Sequence, residues 1–376
     1  MSILLSFFYF FYFAIIGVYI IFLPKILAFS GYSAGEIGIV FAAGPLVRFL
    51  LPFLFTRGLK LDFRTFKVAL AFMLLGSISF YISLDNFYKL LLSNVVLSIG
   101  LSVVLPFIEV ISLDTIGKER YGKIRLFGSL GFVLVALVLV RYLSSASIAL
   151  NYLLVLSILT AIVAFAIGRS SYAKEQKKEE VKNDINLLKD YKLWIGLTLM
   201  QVSFGAFYNF FTIYETDYGV SLDMTIYLWS FGVLAEIVML FFQGRFLKKN
   251  LLFILQLTTF VTSLRWLLLF LYPQHLMILF FSQTLHALSF ALFHSASISY
   301  LYQLYKHRSL AQQFFSGITY GLGGFIGALY AGYIYELYPT YLFLSASIIA
   351  LMASVSIYLW SSSIESSKKL EVPNID

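Results

Sequence analysis

The chain has 376 residues, of which 60% are hydrophobic and only 12% are charged. About 25% of the residues of an ordinary soluble domain are charged, so this composition excludes a water-soluble globular protein and indicates one that lipid solvates. The net charge of +8 would suit an anionic partner such as nucleic acid only if the basic residues formed one water-exposed face.

Twelve apolar runs are long enough to cross a bilayer, which takes roughly 20 apolar residues per helix. They predict an all-α integral membrane protein with twelve transmembrane helices. In chain order the predicted helices are 4–29, 34–57, 64–84, 87–112, 122–143, 147–168, 191–216, 223–247, 250–271, 274–302, 310–336 and 340–361.

One connection is long and densely charged, and we interpret it as a linker between two halves. It covers residues 169–191 and separates a six-helix bundle at 1–168 from a second at 192–361, with a tail at 362–376. The positions of the basic residues predict the orientation. Lys and Arg residues lie on every connection that follows an even-numbered helix and in the tail, whereas the opposite side has only Lys25, Lys89 and Arg141.

The positive-inside rule therefore predicts that both termini are cytoplasmic. Because the basic residues are spread over all inner connections, nucleic acid is not an expected partner. We expect a monomer in the cytoplasmic (inner) membrane of a bacterium.

Charged residues inside a membrane are costly, so they indicate a cavity or a partner side chain. The predicted eighth, ninth and tenth helices carry Glu236, Arg265 and His286 at similar depths. We interpret these three as a substrate-binding and protonatable cluster. The alternative is a structural Glu–Arg pair with a histidine bonded to the backbone. His294, two turns beyond His286, is a further candidate for proton coupling.

Three more intramembrane charges are ambiguous. Glu109 in the fourth helix and Arg125 in the fifth both lie in the inner third, where Arg125 could instead extend to the lipid headgroups. Arg48 in the second helix either extends to the lipid headgroups as well or is a charged residue in the cavity.

Glycine and chemistry motifs add little. The run GLGGFIG at 321–327 lacks the third glycine of a phosphate loop, and its small residues recur every four positions, which predicts close helix packing. The sequence has no cysteine and no metal-ligand or nucleophile–base spacing. We therefore expect no enzyme activity, no metal and no cofactor apart from a proton as the coupling ion.

At the level of specific motifs, the chain resembles the phenylpropionate permease branch of the major facilitator superfamily, which is related to the proton symporters of the lactose permease type. The motifs are FFYFFYFAIIGVYIIFLP, GPLVRFL, YGKIRLFGSLGF, YLWSFGVLAEIVML, LRW and QTLHALSF. The resemblance implies a fold of six plus six helices around a midplane site. It also implies a set of substrate-binding and proton-coupling residues: Glu109, Arg125, Phe132, Glu236, Arg265 and His286.

The chain departs from the lactose permease pattern in its charge network. Ser289 stands at the position of the carboxylate that follows the tenth-helix histidine, and Gln283 at that of a lysine. Asn209 and Thr212 replace acidic residues of the seventh helix. The motif TRGLKLDFR between the second and third helices is also a poor match to the superfamily.

We predict a proton-coupled importer of a small organic solute, with Arg265 and Arg125 binding the substrate and Glu236 taking the proton. The branch resemblance makes an aromatic carboxylate such as 3-phenylpropionate the first substrate expected. The alternatives are an oligosaccharide or nucleoside symporter, an exporter of the same fold and, from another class, a membrane-embedded enzyme or signalling protein.

Overall fold

The computed structural model describes residues 1–57, 62–143, 145–171, 185–306 and 308–370. All regular secondary structure in these ranges is helical. The first half contains α1 Ser2–Phe29, α2 Ala34–Thr56, α3 Phe63–Ile82, α4 Phe87–Ile116, α5 Lys123–Tyr142 and α6 Ala146–Ser171. The second half contains α7 Tyr191–Asp217, α8 Leu222–Arg245, α9 Leu251–Leu271, α10 Leu276–Leu304, α11 Leu310–Leu337 and α12 Pro339–Ile364.

Eleven helices in the described part of the chain are long and apolar enough to cross a membrane. The remaining helix, α7, has 27 residues and is also long enough. It is less apolar because it carries buried polar side chains that include Gln201, Ser203 and Thr212. The predicted all-α fold is therefore confirmed, and the observed helix ends lie within a few residues of the predicted ones.

The predicted break between the fourth and fifth helices is wrong. The backbone is helical without interruption over Phe87–Tyr142. The hydroxyl of Tyr121 nevertheless donates a hydrogen bond of 2.9 Å to Glu109 Oε1. Residues twelve apart in a straight helix are about 18 Å apart, so the chain bends back while it stays helical. The connection is rich in Lys, Glu and Arg, which favour helix, and its glycines tolerate a bend.

Two helices run further than predicted. The helix of α6 continues to Ser171, so it includes the first residues of the predicted linker. The helix of α12 continues to Leu370 and takes up most of the predicted tail. The central linker residues, 172–184, and the last six residues, 371–376, lie outside the described residues.

The bundle has two sides, which we name by its connections. The far side contains the connections α1–α2, α3–α4, α5–α6, α7–α8, α9–α10 and α11–α12, and the terminal side contains the other connections and the described chain ends. Hydrogen bonds from backbone amides to nearby side chains fix where helices begin on the far side. Asn86 and Ser221 accept hydrogen bonds from the Lys89 and Met224 amides and so begin α4 and α8.

The polar contacts that join the two halves within the described residues lie on the far side. Lys25 Nζ of α1 donates to Thr216 Oγ1 at 2.6 Å and lies 3.5 Å from Asp217 Oδ1. Glu336 of α11 accepts hydrogen bonds from the Ser33 hydroxyl and the Gly35 amide at the start of α2. The structure is thus closed on the far side, where both halves contribute a charged residue.

The small residues of α11 form two stripes that face different helices. In the first stripe, Gly327 packs against Gly205 of α7, within the same half. In the second stripe, Gly332 packs against Gly38 of α2, across the boundary between the halves. The close helix packing predicted for this run is confirmed, and α11 has backbone contacts with both halves.

Gly205→Ala should destabilise the fold, because a Cβ on Gly205 would lie 2.2 Å from the Gly327 carbonyl oxygen. Overpacking of this kind typically costs about 1–3 kcal/mol. We expect a lower midpoint of thermal unfolding in detergent. Gly244→Ala is the control, since no other atom lies within 4 Å of a Cβ there. Equal midpoints for the two variants would contradict the packing argument.

Candidate functional site

A buried polar cluster is centred on Arg265, which is 0% exposed in α9. Its Nη1 lies 2.9 Å from His286 Nδ1 and donates to Ser289 Oγ at 3.1 Å. Its Nη2 donates to Gln283 Oε1 at 2.9 Å. All three partners lie on α10, so Arg265 joins α9 to α10 in the core of the second half.

The surroundings of Arg265 are aromatic and uncharged. Its guanidinium carbon lies 4.4 Å from the ring centre of Phe207 and 4.5 Å from that of Trp266, distances at which a cation is attracted to a ring face. Within the described residues, no carboxylate lies within ion-pair distance of it. Arg265 is therefore sealed from solvent, and a substrate cannot reach it in this state.

The contact with Arg265 fixes the tautomer of His286. A guanidinium can only donate hydrogen bonds, so Nδ1 of His286 must accept and the ring proton must be on Nε2. That atom lies 3.7 Å from Glu236 Oε2. The imidazole also stacks on Phe290, with ring centres 5.2 Å apart. Arg265 thus aims the His286 N–H at the Glu236 carboxyl group.

Glu236 approaches α10 because the residue one turn before it is a glycine. A Cβ on Gly232 would lie 3.1 Å from Gln283 Oε1 and 3.7 Å from the His286 side chain. The Glu236 side chain is 15% exposed, so its carboxyl group is partly accessible, whereas the neighbouring histidine is buried. The Glu236 carboxyl group is close enough to Tyr208 and His294 for an electrostatic interaction with each.

His294 and Arg48 are exposed although each lies well inside a helix. Nδ1 of His294 lies 2.7 Å from the hydroxyl of Tyr320 on α11. Arg48 of α2 is within electrostatic range of the same Tyr320, and Arg125 of α5 is within that range of His294. Polar groups of both halves therefore approach one region, which consists of Arg48, Arg125, His294 and Tyr320 and which we call the accessible region because His294 and Arg48 are exposed.

The first half contributes a second polar cluster. Glu109 of α4 is partly buried, accepts the bond from Tyr121, and is within electrostatic range of Arg125 and Arg48. The guanidinium carbon of Arg125 lies 3.7 Å from the ring centre of Phe13 on α1. Arg125 therefore packs against a helix of the bundle.

Phe132 of α5 lies at the boundary of the halves. Its ring centre is 6.3 Å from that of Trp229 on α8, and a Cβ on Gly17 of α1 would come within 3.2 Å of its carbonyl oxygen. Trp229 in turn donates a hydrogen bond of 3.0 Å to Thr212. The aromatic side of the region thus includes residues from both halves.

The structure brings Glu236, Arg265 and His286 together as a chain of contacts, in which Arg265 and Glu236 each contact His286. It places His294, Arg48, Arg125 and Glu109 separately, around the accessible region. Sequence reasoning missed Tyr208 and Tyr320, because tyrosines are frequent in this chain. It also missed two π-helical turns, Ala287–Leu292 and Phe315–Leu322, which carry Ser289 and Tyr320. Such turns often occur at functional sites.

Three comparisons relate the chain to known proteins. The profile of the MFS_1 like family matches residues 2–362. The uncharacterized transporter YwbF of Bacillus subtilis is 26% identical, with 81% of this chain and 79% of that protein covered. The probable 3-phenylpropionic acid transporter of Escherichia coli is 23% identical, with 92% of this chain and 94% of that protein covered.

Solved structures share the fold at low sequence identity. The nucleoside transporter NupG superposes with a TM-score of 0.78 at 17% identity, covering 96% of this chain and 98% of NupG. A bacterial homolog of the human lysosomal transporter Spinster superposes with a TM-score of 0.67 at 13% identity, covering 96% of each chain. These relatives are transporters and not enzymes. The chain belongs to the MFS_1 like family and is a multi-pass membrane transporter of the major facilitator type.

Proposed function

We propose that the protein is a proton symporter that imports a small organic anion, in the first instance an aromatic carboxylate such as 3-phenylpropionate. The observation that carries this proposal is the arrangement of Arg265, His286 and Glu236. Because Arg265 occupies Nδ1 of His286 and the Nε2 proton points at Glu236, Glu236 is the group in this chain of contacts that is left to bind and release a proton.

The anion site that we propose consists of Arg48 and Arg125. Neither donates a hydrogen bond to another described residue, whereas Arg265 has three hydrogen-bonding partners. Both are within electrostatic range of Tyr12 and Glu109, so they lie on the same side of the accessible region. Guanidinium groups bind carboxylates through paired N–H donors. The substrate-binding role that the sequence suggested for Arg265 therefore passes to these two residues.

The aromatic part of the substrate would lie against Phe132 and Trp229, whose rings contact each other across the halves. A planar ring packs favourably in such a site. The relative from Escherichia coli, which is named for 3-phenylpropionic acid, supports the same substrate class.

We further propose that the terminal side is the cytoplasmic side of a bacterial inner membrane and that the protein acts as a monomer. The distribution of Lys and Arg supports this orientation. The state described here would then be closed to the outside and accessible from the cytoplasm. The two six-helix halves would rock about the midplane site to expose it alternately.

A nucleoside is the second candidate substrate, and the fold likeness to NupG supports it. The net charge that one transport cycle moves across the membrane distinguishes the two candidate substrates. One proton with one monoanion moves no net charge, whereas one proton with a neutral nucleoside moves one positive charge.

The test is uptake into proteoliposomes with an acidic exterior, using labelled 3-phenylpropionate, uridine and lactose. We expect saturable, protein-dependent uptake of 3-phenylpropionate whose initial rate does not respond to an imposed membrane potential. Initial rates are needed because a weak acid also crosses lipid in its neutral form, so protein-free liposomes are the control. Uptake of uridine that follows the potential, with no carboxylate uptake above the control, would replace this proposal by its alternative.

A further inference from the structure

Glu215, in the last turn of α7, is a buried carboxyl group that the proposed mechanism does not use. Its side chain is 0% exposed. Neither carboxyl oxygen has a hydrogen-bond partner, and no cation is paired with it within the described residues. An ionised carboxylate without a partner is very unfavourable in such surroundings, so the group is neutral and holds a proton in this state.

The position of Glu215 links it to the boundary between the halves. One turn earlier on the same face of α7 lie Phe211 and Thr212, and both contact Trp229. Trp229 contacts Phe132 of the first half. Glu215 thus lies one turn from side chains that pack against Trp229, which is in contact with the first half.

The residues that follow Glu215 close the far side. Thr216 and Asp217 bind Lys25 of the first half. Asp217 also accepts a hydrogen bond of 2.8 Å from the Tyr335 hydroxyl of α11. The contacts that must break when the far side opens are thus one and two residues away from the buried carboxyl group.

We infer that Glu215 is a second proton-binding site, which exchanges its proton with the far-side solution and must be protonated for the far side to close. The inference rests on the alternating access of the proposed transporter. It requires neither a particular substrate nor the proposed role of Glu236. In this inference the proton returns to the side from which it came and is not transported.

The sign of the pH dependence follows from proton linkage. The closed state binds one proton more than the open state wherever a hydrated carboxyl group is ionised, which is above about pH 4.3, and the buried one is not. Raising the far-side pH therefore favours opening, by up to about tenfold in the closed-to-open ratio for each pH unit.

Other ionisable groups at this end of the bundle could contribute to such a response. On α7 itself and on the elements packed around its end they are Lys25, Glu36, Tyr214, Asp217, Tyr218, Asp223, His275, Tyr335, Glu336 and Tyr341. Of these, His275 is exposed, so a variant of it is included in the experiment. Asp217 and Glu336 hold the halves together. Asp217 is therefore tested by a variant of its own, and Glu336 is left unsubstituted in the experiment.

The experiment measures the far-side distance between the halves without any substrate. The chain lacks cysteine, so Tyr88→Cys in the first half and Met277→Cys in the second provide two unique spin-label positions. Both side chains are more than three-quarters exposed, at 78% and 79%. Distances between the labels would be recorded by pulsed electron resonance in lipid nanodiscs at about pH 5.5 and about pH 8.5.

We expect the labelled protein to shift from short to longer distances as the pH rises. Glu215→Gln should keep the short distances at both pH values, with less than about a twofold change in the closed-to-open ratio. Glu215→Met, which is also neutral, should behave in the same way and covers the case in which glutamine folds poorly. His275→Gln and Asp217→Asn should retain the pH response.

A full pH response in either Glu215 variant, or none in the unsubstituted labelled protein, would overturn the inference. The distance measurement uses neither a substrate nor a pH gradient across the membrane. Failure of the proposed symport would therefore appear in the uptake assay and leave the distance measurement unchanged.

Discussion

Glu236→Gln is expected to abolish the stimulation of uptake by a pH gradient while leaving counterflow within about threefold of the unsubstituted protein. Glutamine keeps the size of the side chain and an oxygen at the position of Glu236 Oε2, which lies 3.7 Å from His286 Nε2. It cannot take up or release a proton. Exchange of labelled for unlabelled substrate requires no net proton movement, so it should continue.

The measurement is the initial rate of protein-dependent uptake with and without an acidic exterior. A single titrating carboxyl group can change such a rate by up to about tenfold per pH unit, and this dependence should disappear in the variant. Asp223→Asn is the control, because it removes an exposed carboxyl group from the first turn of the helix that carries Glu236 and should leave the gradient stimulation in place. Undiminished stimulation in Glu236→Gln would remove Glu236 from the mechanism.

Arg265→Gln is expected to reduce both gradient-driven uptake and counterflow by at least about 100-fold. The substitution leaves the acceptors on Gln283, His286 and Ser289 without their donor, and each unsatisfied buried group costs about 1–3 kcal/mol. It also frees Nδ1 of His286 to take up a proton. The resulting imidazolium would pair with Glu236 and hold it ionised. Glu236 could then no longer take up a proton during the transport cycle.

Arg265→Lys should fail to the same degree, since an ammonium cannot reproduce the planar arrangement of donors. Ser289→Ala is the control with a graded effect. It removes one acceptor at 3.1 Å and leaves the other two, so we expect a loss of no more than about tenfold. Thermal unfolding and gel filtration would establish that the variants are folded. Counterflow in Arg265→Gln close to that of Ser289→Ala would show that Arg265 serves packing alone.

The helices and the residues that form the central contacts were predictable because membrane insertion imposes simple rules. Apolar runs of spanning length gave the helix positions, and the cost of an intramembrane charge singled out Glu236, Arg265 and His286. The order of their contacts was not predictable. Depth counting placed Arg265 near Glu236, whereas in the structure His286 lies between them, because Gln283 and Ser289 hold the guanidinium against α10.

Other features depend on packing that one sequence does not display. Glu215 is two residues from the end of α7, where an acidic residue is ordinarily solvated, and only the tertiary structure shows that it is fully buried. The exposure of His294 and Arg48, each well inside a helix, is likewise shown only by the tertiary structure. The helical bend between Glu109 and Tyr121 was missed because charged residues and glycines usually indicate a loop, although they are also compatible with a bent helix.

The two stripes of α11 bear on how such a molecule can change shape. Gly327 contacts Gly205 of the same half, whereas Gly332 contacts Gly38 of the other half. The contact between Gly332 and Gly38 has no interlocking side chains. At this point α2 can therefore slide along α11 with little steric resistance. We therefore expect the two halves to move relative to each other at this contact, and we expect a bulky residue at Gly38 or Gly332 to hinder that movement.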